Sequence, residues 1–114
     1  MSNSKNNLPL EVITEAQQLL NNESSWNKKS VYGEPCTHES KTYTLGCALE
    51  LAQIKIRGKA IPRAKEMNKV RRRILRHFFF RGHLHPITYF NRNKRTTYED
   101  VMFVLDEAIK KLSK

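Results

Sequence analysis

The sequence predicts an all-α fold, a compact domain of four helices, on three observations. Apolar residues recur at helical spacing in four separate stretches, and those stretches are framed by helix start and stop residues. The length of 114 residues suits one core of modest size. A chain of this length buries roughly 60–70% of its unfolded surface, so one domain over residues 8–114 is expected and a second is not.

Residues 1–7 contain nothing to bury and are expected to be a frayed tail. Pro9 suits a first helical turn, and Leu10, Ile13, Ala16, Leu19 and Leu20 follow at helical spacing, which predicts a first helix over about residues 9–21. Asn21 to Ser25 then breaks the pattern. A long irregular loop is expected at about 22–42, holding Gly33 and Pro35, with a possible short extended piece at Val31 and Tyr32. Leu45, Ala48, Leu49, Ala52 and Ile56 carry the second helix, and Gly58 supplies its stop. Pro62 opens the third, whose one face holds Met67, Val70, Ile74 and Phe78 until Gly82 and Pro86 end the pattern. Residues 83–95 are expected to be loop with an extended element around Ile87 to Phe90. Thr96 and Glu99 read as a capping box for the last helix, whose buried face is Val101, Val104, Leu105, Ala108, Ile109 and Leu112.

Charge is the most informative feature. The net charge is +10, and ten aromatics with 39% hydrophobic residues argue that so basic a chain still folds. Residues 55–95 hold fourteen basic side chains against Glu66 alone, while the flanking parts are slightly acidic. On a wheel of about 100° per residue, Lys65, Lys69, Arg72 and Arg76 fall within about 60° of one another, nearly opposite Met67, Ile74 and Phe78. Four like charges so placed weaken a helix by a few tenths of a kcal/mol per pair, a cost that an anionic partner removes. Arginine predominates on this helix, and its planar fork matches phosphate oxygens in pairs.

These features point to a small basic accessory or regulatory protein that binds the phosphate backbone of DNA or RNA. The residues expected to carry the contact are Arg63, Lys65, Lys69, Arg72, Arg73, Arg76, Arg81, Arg92, Lys94 and Arg95. The alternative is a protein-interaction module, an inhibitor or adaptor whose cationic helix docks on an acidic partner. A membrane surface fits less well, because the apolar face opposite the charge is needed for the core. The second helix, a four-residue turn at Gly58 to Ile61 and the third helix also have the proportions of a helix-turn-helix, which many αα-hairpins share. Phe78, Phe79, Phe80, Tyr89 and Phe90 interleave with Arg81 and Arg92 and could offer stacking faces, although such aromatics more often close a core.

Catalysis is not written in these residues. His38 follows Cys36 by two and His83 precedes His85 by two, but with Cys47 and His77 these spacings match no paired metal framework. His83, His85 and Asn91 could suggest a nuclease, yet few candidate carboxylate ligands stand near them. No cofactor and no catalytic residue is therefore expected. Two cysteines could form one bridge, but nothing else points to an oxidising compartment, so reduced thiols and a cytoplasmic location are expected. No stretch approaches the roughly 20 apolar residues that span a bilayer. Oligomeric state is not legible.

Leu10 to Leu20, Trp26, Tyr43-Thr44-Leu45-Gly46-Cys47-Ala48-Leu49, Phe90-Asn91, Thr96 to Val101 and Leu105 to Ile109 resemble a family of small bacterial and phage-type proteins. Its pattern is an N-terminal helix and a Trp, an aromatic-x-x-Gly-Ala-Leu helix start, an aromatic-Asn-Asp turn, then Thr and a helix rich in Val, Leu and Ala. Cys47 splits the Gly-Ala-Leu run, and Arg92 stands where the family turn has Asp. The resemblance implies a single helical domain and carries no assigned activity.

Overall fold

The computed structural model of the chain describes residues 7–28, 36, 41–78 and 85–113. It is mainly helical, with five α-helices among the described residues where four were expected: α1 (Leu8–Leu19), α2 (Leu45–Arg57), α3 (Lys65–His77), α4 (Pro86–Arg92) and α5 (Tyr98–Leu112). A short 3-10 turn, Glu23–Ser25, follows α1. Tyr43 and Trp26 then form an isolated bridge that brings the chain back to the start of α2. The expected extended piece at Val31 and Tyr32 lies outside the described residues.

Helices α1, α2 and α5 each begin where a side chain satisfies an otherwise orphaned amide. Asn7, expected in the tail, caps α1 by accepting from the Leu10 amide at 3.3 Å, and its own amide donates to the Leu112 carbonyl at 3.1 Å. Thr44 caps α2 through the Cys47 amide at 3.0 Å. That helix stops at Gly58, whose φ of 88° lies in the left-handed region where glycine carries no Cβ penalty. The capping box of α5 sits one residue later than expected. Thr97 accepts from the Asp100 amide at 3.1 Å, and Asp100 accepts from the Thr97 amide at 3.0 Å. Thr96 is instead buried, with its carbonyl accepting from the Lys28 ammonium at 2.7 Å.

Two further expectations change. Pro62 does not open α3, because Ile61 to Ala64 is a turn closed by an Ala64 to Ile61 hydrogen bond of 3.1 Å, with Pro62 at the second position that proline favours. The connection from α2 to α3 therefore runs over residues 58–64 and is longer than a helix-turn-helix connection, which removes the main support for that comparison. Residues 86–92 are helix rather than extended. Ile87 and Phe90, three apart, are both buried, and burial on one helical side overrides the strand preference of Ile-Thr-Tyr-Phe.

Apart from Leu51, the buried apolar residues described form one cluster. Val12, Ile13 and Ala16 of α1 and Ala48, Leu49 and Ala52 of α2 all belong to it, and the two helices pack against each other. Val101, Val104, Leu105 and Ala108 of α5 pack on α1 and α3, and α4 closes the side between α2 and α3.

Candidate functional site

Helix α3 separates its two faces as its sequence predicts. Met67, Val70 and Ile74 are buried, while Lys65, Arg72 and Arg76 are exposed and Lys69 is partly so. None of these four cations has a carboxylate partner among the described residues. Their neighbours differ: Lys55 pairs with Glu15 at 3.1 Å, and Arg57 pairs with Glu66 at 2.8 Å. The cations on the stripe are thus left to solvent.

What positions α3 is a polar lock at its first turn. The fully buried Glu66 carboxylate accepts from Arg57 Nε and Nη2, each at 2.8 Å, and from the Gln53 amide at 2.7 Å. The same Gln53 side chain donates to the Ile61 carbonyl at 2.8 Å and accepts from the Ile61 amide at 3.0 Å. Burial pushes the Glu66 carboxyl up, but the Arg57 guanidinium and the Gln53 amide outweigh it and hold the group below the usual carboxylate range. Arg71 adds a brace, donating to the Asn68 side chain at 3.0 Å and the Pro62 carbonyl at 2.8 Å.

The other expected contact residues divide into groups. Arg63 is exposed on the turn ahead of α3. Arg92, Lys94 and Arg95 are exposed around the end of α4 and the turn after it, where Lys28 donates to the Lys94 carbonyl at 2.8 Å. Arg73 does not reach the surface: it is 7% exposed, and its Nε is buried without a hydrogen-bond partner among the described residues. It lies on the packed flank of α3 and leaves the set of surface cations. Arg81 lies outside the described residues, as do His38, His83, Phe79 and Phe80. Of the described aromatics once weighed as stacking faces, Phe90 is buried and Phe78 packs against it with ring centroids 4.9 Å apart. Tyr89 remains 38% exposed.

The cysteines are paired. Cys36 and Cys47 form a disulfide with Cα atoms 5.4 Å apart, which overturns the expectation of reduced thiols. It also removes the thiol argument for a cytoplasmic location, since such bridges persist mainly in oxidising surroundings. No helix among the described residues is long and apolar enough to cross a membrane.

Asn91 is the residue whose role sequence reasoning missed. Buried at 1% exposure, it accepts from the Trp26 indole at 2.6 Å and the Leu45 amide at 2.8 Å, and donates to the Asn27 carbonyl at 3.1 Å. Trp26, the start of α2 and the Phe90-Asn91 pair therefore meet at one side chain, and the nuclease role weighed for Asn91 has no free polar atom to rest on. A family model described as "Family of unknown function (DUF6197)" matches residues 4–111. The chain belongs to this family. No curated protein and no solved structure matches it.

Proposed function

We propose that this member of the DUF6197 family is an accessory or regulatory binding protein that holds the phosphate backbone of nucleic acid on the exposed face of α3. The observation that supports this reading is the row Lys65, Lys69, Arg72 and Arg76, which faces solvent without a carboxylate partner among the described residues while Lys55 and Arg57 are paired. A phosphate backbone relieves the mutual repulsion of such a row and releases counterions, so affinity falls steeply with salt. Arg63 extends the row toward the turn.

Replacing all four residues by Gln tests the reading, because none of the four lies in the core. The variant should fold and melt no lower than the native protein, since the change also removes the repulsion within the row. Its log-affinity against log-salt slope should flatten by about 3.6 units on duplex, since each of the four phosphate contacts contributes about 0.9. A similar fall across unrelated sequences marks positioning rather than base-reading contacts. Unchanged affinity and slope would defeat the proposal. A second reading, an acidic protein partner, draws on Leu75, which is 45% exposed on the same helix and would add apolar contact to a charged surface. Indifference of the native protein to duplex, single-stranded DNA and RNA at low salt would favour it.

A further inference from the structure

Helix α4 presents a second polar face. His85, Thr88, Tyr89 and Arg92 stand at i, i+3, i+4 and i+7, and all four are exposed. A recess of about 250 Å3 lies between this helix and α3, lined by Arg71, His85, Pro86, Ile87 and Thr88. That is just below the 300–1,000 Å3 typical of sites for drug-sized ligands, a size for a single planar ring rather than for a large molecule. Its one charged side chain among the described residues is Arg71, already held in place by Asn68 and Pro62. His85 and Tyr89 meet edge to face with centroids 5.8 Å apart, so the Tyr89 ring stands beside the recess with a restricted orientation.

We infer that this recess and the Tyr89 ring form a subsite for an unpaired nucleobase, so that the partner of the chain is single-stranded nucleic acid. The inference rests on the nucleic-acid reading above and narrows it. A base of a duplex is stacked on its neighbours on both faces, so neither face is free to lie on the exposed Tyr89 ring. A base of a single strand can lay its face on Tyr89 while the backbone runs on to the cations of α3. Arg72 follows Arg71 in the chain, so the exposed row begins about 100° around the same helix from the recess. Base stacking on an aromatic ring tolerates every base, because each has a π-face. The subsite therefore adds affinity for single strands without sequence preference.

Fluorescence anisotropy with labelled oligo(dT), oligo(U) and a mixed-sequence duplex of matched length tests this, using the whole chain. Tyr89→Ala should weaken single-strand binding by about 5- to 150-fold, the range of one lost base–aromatic stack, and leave duplex binding within about twofold. Tyr89→Phe should restore native affinity, because the ring and not the hydroxyl makes the stack. Tyr89→Leu keeps the apolar bulk and lacks the π-face, so it carries the test if the alanine variant melts early. A loss on only one of the two oligonucleotides upholds the stack and names the polymer. Equal loss on duplex and single strand, or none on either, overturns the inference while leaving the phosphate-binding reading in place. No binding of native protein to any of the three at low salt overturns both, before any variant is made.

Discussion

At the scale of single residues, Glu66 shows how a charge can be buried at tolerable cost. A carboxylate taken out of water must find partners for its oxygens, and this one finds a two-pronged Arg57 and the Gln53 amide. Removing one member of such a pair leaves the other uncompensated and costs about 3–5 kcal/mol when both are buried. Arg57 keeps 19% side-chain exposure, so the lower end applies. Glu66→Gln should therefore lower the melting temperature at pH 7 by roughly 10 °C, read by thermal circular dichroism. A change under about 2 °C would show that the lock contributes little. The same group sets a pH dependence. Because its folded pKa is depressed, its stabilisation is present above the unfolded value of about 4.3 and is lost as pH falls through the folded one. Acidification below about pH 4 should thus destabilise native protein more than Glu66→Gln. Parallel losses in the two would remove Glu66 as the cause. Arg73 is the opposite case, a buried guanidinium whose Nε has no partner among the described residues, and no element of the fold explains it.

Among the elements, the segment before α2 depends on a covalent link. Cys36 and Cys47 are eleven residues apart, and the bridge ties the chain to the first turn of α2 beside its Thr44 cap. Closing a loop of this length restricts the unfolded chain and contributes about 2–3 kcal/mol. Reduction by a dithiol, which converts the bridge to two thiols as the dithiol oxidises to its own disulfide, should lower the melting temperature by roughly 10 °C. Thiol titration of unfolded protein should find no free thiol before reduction and two after it. Two free thiols in freshly purified, unreduced protein, with a melt indifferent to reductant, would contradict the pairing. The sequence suggested the possibility of a bridge but not the outcome, because two cysteines eleven residues apart meet only if the intervening chain turns back. That return depends on Tyr43 pairing with Ser25 and on Asn91 holding the Leu45 amide, both contacts between distant parts of the chain. Helix α4 was illegible for a related reason. Seven residues are too few for a clear periodicity, and Ile-Thr-Tyr-Phe favours strand until Ile87 and Phe90 find the core.

Across the whole molecule, charge is carried asymmetrically, and its repulsion should be measurable. The exposed cations of α3 and of the turn after α4 face no compensating carboxylates among the described residues, so moderate sodium chloride should raise the melting temperature by screening them. A bound polyanion at 100 times its dissociation constant should add about 2.7 kcal/mol, a rise of roughly 10 °C. A melt unmoved by either would show that the row is too well solvated to matter. The sequence by itself determined the helical class, the approximate positions of α1, α2 and α5, the presence of α3 but not its start, the glycine stop at Gly58 and the two faces of α3. Those follow from periodicity and local start and stop chemistry, which act within about one helical turn or two. Only the tertiary structure decided that Arg73 is buried, that Glu66 is locked, that Asn91 gathers three segments and that the cysteines pair. It also left Tyr89 at the surface while Phe78 and Phe90 went inward. Each of those depends on which residues far apart in the chain become neighbours, and helical spacing records the face a side chain occupies, not the partner it meets there.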